Sequence, residues 1–203
     1  MQKPQLKTIL RDFHSQIKSS QTLLAKVKLL QMPRIYIEMV TELAFLRILL
    51  AWENFLEESF IRYMVGGKSP SGFCPVCTVT APTLNKALEI ICGDKQYVQW
   101  VSASEVIRRA ERFFRDGEPY KNALESALTD LNELNTIRNR IAHRSKSSKK
   151  KFSDFVRRKL GYGKQGMTSG RFLLTAKPMI SPQIIFLDDY IKLIETAGRI
   201  IVP

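Results

Sequence analysis

The stretch Leu43-Ala44-Phe45-Leu46-Arg47-Ile48-Leu49-Leu50-Ala51-Trp52 decides the fold. It carries one charge, Arg47, and its apolar side chains would fall on nearly every side of a helix. A helix apolar all round lies at the centre of a bundle or is shared with a second subunit. The stretch is too short to cross a membrane, which takes about 18 uninterrupted apolar residues. It belongs to a longer helical pattern from Ile35 to Val65, free of Gly and Pro and stopped by Gly66-Gly67. At about 1.5 Å per residue that pattern spans roughly 45 Å, the length of a long bundle helix.

Working outward, Leu6 to Leu30 repeats apolar residues at helical spacing, and Pro33 marks the turn after it. On the other side, Lys68 to Val101 opens irregularly with Ser69-Pro70-Ser71-Gly72, Pro75 and Pro82. Thr83 to Cys92 suits a short helix, and Tyr97 to Val101 is ambiguous. Residues 67–101 therefore read as an insertion lying over the bundle. Ser102-Ala103-Ser104-Glu105 fits a capping box opening a helix to Arg115. Asp116-Gly117 ends it, and Pro119 starts a helix running to His143. Ser145 to Lys151 reads as a basic linker, Phe152 to Leu160 as a short helix, and Gly161 to Gly170 as a glycine-rich loop. Arg171 to Ala176 suits an extended segment, and Ser181-Pro182 caps a last helix reaching Ile200. The expectation is one all-α domain over residues 1–203. It is a bundle of four to five main helices with the insertion and a basic, glycine-containing segment at 145–180.

Composition narrows the partners. The chain has 203 residues, 44% of them hydrophobic, enough for a core. Its net charge is +13, and Arg138 to Arg171 alone holds twelve Lys/Arg against one acid, Asp154. Such a block suits a polyanion, nucleic acid or an anionic surface; the plain alternative is a solvated, self-repelling loop. Three cysteines, and a start from Met1 to Lys18 broken by charges, point to a reduced cytoplasmic setting.

Two motifs carry little. Cys74-Pro75-Val76-Cys77 offers two zinc ligands where a structural site takes four, and Cys92 adds only a third. Gly161-Tyr162-Gly163-Lys164-Gln165-Gly166 matches a dinucleotide fingerprint in letters only, since no strand precedes it and no helix opens on it. His14, beside Phe13, reads as structural.

The stretch Leu131 to Arg144 is more informative. At about 100° per residue, Leu124, Ala127, Leu128, Leu131, Leu134 and Ile141 form an apolar stripe, with Asn135 and Arg138 inside it. A guanidinium there requires a carboxylate such as Glu53, a bound phosphate, or a cleft between subunits. Asn139 and His143 fall together on one flank, while Arg140 and Arg144 fall on the opposite, solvent side. At the helix C-terminus the dipole favours imidazolium, and the neighbouring arginines oppose it.

Arg138-Asn139-Arg140-Ile141-Ala142-His143 has the form RNxxxH and resembles the signature of the HEPN superfamily. Leu49 to Glu57 looks like the partner helix of its RiboL-PSP-type branch. The resemblance implies a helical bundle and an endoribonuclease that needs neither metal nor cofactor. It implies a homodimer with two motifs facing one cleft. Arg138 would hold the scissile phosphate, His143 would move protons, and Asn139 would orient His143 or the phosphate, with Glu53 in support. It further implies a toxin or phage-defence effector, with an antitoxin or defence protein as partner. Arg140, Arg144, Lys149, Lys150, Lys151, Arg157, Arg158 and Lys159 would then contact the RNA backbone, with Phe152, Phe155 and Tyr162 available for stacking. The alternative is a HEPN-like dimer that binds nucleic acid or a protein without cutting.

Overall fold

The structure is a computed structural model and describes residues 5–143, 145–163, 165–178 and 182–203. Among these residues there are nine α-helices, one 3-10 turn and three isolated bridges, with no β-strand. None of the described helices is long and apolar enough to cross a membrane.

Helices α1 (Leu6–Leu29) and α2 (Arg34–Met64) form a hairpin about Pro33. Phe13 of α1 stacks on Phe55 with ring centroids 5.0 Å apart and meets Trp52 at 5.6 Å. Arg47, the charge inside the apolar run, reaches back to α1, where its Nη2 donates to Gln16 Oε1 at 3.0 Å. The run is therefore buried at Ala44, Phe45, Ile48, Leu49, Ala51 and Trp52. Leu43 and Leu50 stay 64% and 58% exposed.

The C-terminal end of α2 carries an aromatic node. Phe60 packs on Phe114 and Tyr120, and the buried Tyr120 hydroxyl shares a 2.9 Å hydrogen bond with Ser59 Oγ. The Tyr63 hydroxyl donates to the Ile201 carbonyl at 2.7 Å, and burial pushes its pKa well up. Residues 67–101 lie over this end and hold one helix, α3 (Leu84–Cys92). Backbone bonds fasten them: Ala81 N–H to Met64 O, Ser71 N–H to Pro203 O, and Thr78 N–H to Phe113 O. Cys74, Cys77 and Cys92 are free thiols, and among the described residues no group of three metal-ligating side chains forms.

Helix α4 (Ala103–Phe113) opens on Ser102, whose Oγ accepts from Glu105 N. It ends two residues before the expected Arg115. The single helix expected from Pro119 to His143 is two, α5 (Tyr120–Glu125) and α6 (Leu128–Ala142). Ala127, at φ −106° and ψ 6°, breaks them apart. The break lets α5 bury Tyr120, Ala123 and Leu124 beside α4 and α9, while α6 turns towards α2.

The expected linker at Ser145 to Lys151 is helical. Ser145 Oγ accepts from Ser148 N and caps α7 (Lys146–Leu160), which ends on Gly161 in the left-handed region at φ 77°. The expected extended segment is also helical: Thr168 caps α8 (Ser169–Leu173). Helix α9 (Phe186–Ile201) starts later than Pro182, because the bridge from Ala176 to Ile185 holds the preceding residues out of the helix. The capping role expected of Ser181 lies outside the described residues.

Helices α7, α8 and α9 share a second aromatic node. Phe172 lies 4.3 Å from Phe186 and 4.9 Å from Phe155, ring centre to ring centre. Phe152 and Phe155 are buried here, so the stacking role expected of them is corrected; Tyr162 alone of the three is exposed.

Helix α8 sits directly on α2. A Cβ at Gly170 would fall 2.2 Å from the Glu38 carbonyl oxygen. Buried Glu38 accepts from Arg171 Nε at 2.8 Å, Thr168 Oγ1 at 2.7 Å and Arg34 Nε at 3.0 Å. Burial pushes its carboxyl up, but the bonds from Thr168 and Arg171 and the Arg171 charge outweigh burial and hold it below its ordinary value.

Candidate functional site

Helix α6 runs antiparallel to α2. Its early residues Leu131, Leu134 and Asn135 edge a cavity of about 10 Å³ with Leu49, Glu53 and Leu56. Its last turn, at Arg140 and Ile141, shares the lining of an open cleft with Glu42 of α2. The buried stripe of α6 is Leu131, Leu134 and Ile137. It is centred one position before Arg138, because α6 is wedged between α2 on one side and α7 on the other. Arg138 is therefore half-buried at the edge of the stripe rather than in its middle.

Among the described residues no carboxylate pairs with Arg138 within 4.0 Å. Glu53 acts on it only at longer range. Burial pushes the Glu53 carboxyl up, and the Arg138 charge opposes this in part. The guanidinium is instead held by its neighbour: Arg138 Nη1 donates to Asn139 Oδ1 at 3.3 Å. Asn139 Nδ2 donates in turn to Asn135 Oδ1 at 3.1 Å. Asn135, Asn139 and Arg138 thus form one polar strip along the flank of α6.

His143 follows the last residue of α6 with extended backbone, φ −126° and ψ 118°. Its N–H still donates to the Asn139 carbonyl at 3.0 Å, but its exposed side chain leaves the helical track. The expected pairing of Asn139 with His143 along one flank is corrected accordingly: the Asn139 amide is engaged by Arg138 and Asn135. Ser148 donates to the His143 carbonyl, which fixes the backbone between α6 and α7. This contact is legible only as the Ser145-to-Ser148 capping spacing.

The basic residues separate into three groups. Arg140, expected on a solvent face, is half-buried and lines an open cleft with Lys149 and Arg157. Lys150, Lys151 and Arg158 are exposed and lie outside the lining of that cleft. Lys159 is paired within the chain, with Nζ 2.8 Å from Glu133 Oε1 and 3.6 Å from Asp130 Oδ1. Glu133 also accepts from the Tyr190 hydroxyl at 2.9 Å, tying α6 to α9. Arg144 and Lys164 lie outside the described residues.

No protein-family model matches the chain, and no curated protein or solved structure does either.

Proposed function

We propose that this protein is a metal-independent endoribonuclease of HEPN type that works as a homodimer. The observation that carries the reading is Arg138: a half-buried guanidinium, tied to Asn139 and free of any carboxylate within 4.0 Å among the described residues, five residues before His143. A cation held in that way is available to a phosphate.

In the proposed reaction the ribose 2′-OH attacks the adjacent phosphorus. The P–O2′ bond forms, the P–O5′ bond breaks, and a 2′,3′-cyclic phosphate remains. Arg138 neutralises the charge that builds on the phosphoryl oxygens. His143 takes the 2′-OH proton or returns one to the leaving 5′-oxygen; with a single histidine per motif, the second proton transfer falls to the partner copy. Asn139 aims Arg138, since its carbonyl oxygen accepts from the guanidinium.

Helix α2 supports the dimer. Tyr36, Met39, Leu43, Leu46 and Leu50 recur at spacings of three and four, the repeat of a helix–helix seam. Tyr36, Met39, Leu43 and Leu50 are 49%, 53%, 64% and 58% exposed. The stripe continues to Glu53, the residue on which the Arg138 charge acts. A second copy seated on this seam would bring two motifs close together.

Purified protein incubated with RNA in EDTA tests the proposal. Products ending in 2′,3′-cyclic phosphate are expected, with Arg138→Ala and His143→Ala each reducing the rate by roughly 100-fold or more. Activity that depends on added magnesium would overturn the chemistry. A second reading, a dimer that holds RNA without cutting, is favoured by one observation: the Asn139 amide bonds Arg138 and Asn135 rather than His143. RNA that is bound but left intact would select that reading.

A further inference from the structure

Arg138 and Arg140 are two residues apart, so they project about 200° away from each other around α6. Arg140 belongs to a separate feature, an open cleft of about 820 Å³ between α6, α7 and the return loop that precedes α8. We propose that this cleft is an exosite for single-stranded RNA, gripping its phosphates through Arg140, Lys149 and Arg157. The proposal rests on the reading of RNA as substrate and specifies where the strand runs.

Three observations carry it. First, the cations converge from two helices on one concave surface. Lys149, Ser153 and Arg157 succeed one another at four-residue spacing and share one face of α7, and Arg140 approaches from α6. Second, these cations form no ion pair among the described residues. Among the described residues none of the three pairs with a carboxylate within 4.0 Å, whereas nearby Lys159 is held by Glu133 and Arg171 by Glu38. The carboxylate in the lining, Glu42, accepts from the Gly170 N–H at 2.9 Å and is thereby directed at α8. Third, the cleft walls are mixed, with the half-buried Ile141 and Met167 offering apolar surface beside the cations. A nucleotide presents the same pairing of an anion and an apolar ring face.

The shape selects single strands. Duplex RNA is recognised across a wide, shallow minor groove, which asks for a surface that spans it. A concave positive groove follows one backbone. Arg140 lies three residues before His143, so a strand seated in the cleft runs on towards the end of α6, where His143 stands.

The test measures binding apart from cutting, by fluorescence anisotropy with a mixed-sequence oligoribonucleotide carrying 2′-O-methyl groups, which lacks the attacking hydroxyl. Lys149→Ala/Arg157→Ala is compared with Lys151→Ala/Arg158→Ala. Each pair removes two charges from exposed positions of α7, so circular dichroism is expected to match wild type for both. The first pair should weaken binding roughly tenfold or more and flatten the logarithmic salt dependence by about 1.4, as for two lost phosphate contacts on a single strand. The second pair should change affinity by less than about threefold, and a duplex of the same sequence should bind less tightly than the single strand. Equal losses in the two pairs, or equal affinity for duplex, would overturn the exosite while leaving the cleavage reading standing. Cleft-dependent binding of unmodified RNA that is never cut would support the exosite and remove the cleavage reading. Absence of RNA binding by the wild type would remove both.

Discussion

At the scale of single residues, the chemistry depends on how Arg138 is left available. Leu134 and Ile141 flank it in sequence and suggest full burial, which a lone guanidinium could not sustain. In the structure Ile137 takes the buried place, and Arg138 moves to the flank beside Asn139. Glu53 is the carboxylate that acts on Arg138, and the two influence each other without forming an ion pair. Burial raises the Glu53 carboxyl, and Arg138 reverses only part of that. The folded protein then binds the Glu53 proton more tightly than the unfolded chain does. This residue's contribution to stability therefore falls as pH rises from the ordinary glutamate range through its raised folded value. Glu53→Gln should melt at a higher temperature than wild type at neutral pH, with the difference closing on acidification below the ordinary glutamate range. Thermal melts followed by circular dichroism from about pH 4 to pH 8 check this. A lower melting temperature at neutral pH would mean that attraction to Arg138 outweighs the burial of Glu53.

At the scale of elements, the glycine-rich segment has roles that its letters disguise. Gly161 stops α7 in the left-handed region, and Gly170 lets α8 lie on the backbone of α2. With a Cβ placed 2.2 Å from a main-chain carbonyl oxygen, no side-chain rotation relieves the clash at Gly170. Gly170→Ala should lose roughly 3 kcal/mol in urea unfolding. Loss of less than about 1 kcal/mol would show that α8 shifts off α2 at little cost. The same contact carries the Glu38 cluster, so a displaced α8 would also disturb the loop that walls the basic cleft. α7 is the other revision at this scale. A serine- and lysine-rich run reads as a linker, yet the Ser145 cap and the burial of Phe152, Phe155 and Val156 hold it as one helix. Its cations are thereby given fixed faces rather than a diffuse cloud.

At the scale of the whole molecule, charge and apolar surface are segregated. Among the described residues the basic block is divided into cations paired with Glu133, Asp130 and Glu38, cations facing the cleft, and exposed cations outside it. The apolar seam of α2 is exposed beside α1, and it is the surface on which the proposed dimer depends. Leu43→Glu/Leu50→Glu should yield a folded monomer, because both positions are exposed in the single chain, and cleavage should be lost with the dimer. Light scattering coupled to size exclusion reads the first and the EDTA cleavage assay the second. A wild-type protein that is monomeric at assay concentration, or a monomeric variant that still cuts, would remove the shared-cleft mechanism.

What is local can be read from the residues alone. The periodicities of α1 and α2, the cap at Ser102, the stop at Gly161 and the concentration of charge after Arg138 follow from residues a few positions apart. The apolar run at Leu43 to Trp52 marks a helix either central to a bundle or shared with a second subunit. Only the tertiary structure decided which face of each helix is covered, because that depends on neighbours distant in sequence. It broke the α5–α6 helix at Ala127, recruited Phe152 and Phe155 into a core with Phe172 and Phe186, and paired Lys159 with Glu133. It likewise left Leu43 and Leu50 exposed within the most apolar stretch of the chain, and it set Arg140 in a cleft with Lys149 and Arg157 rather than on an open face.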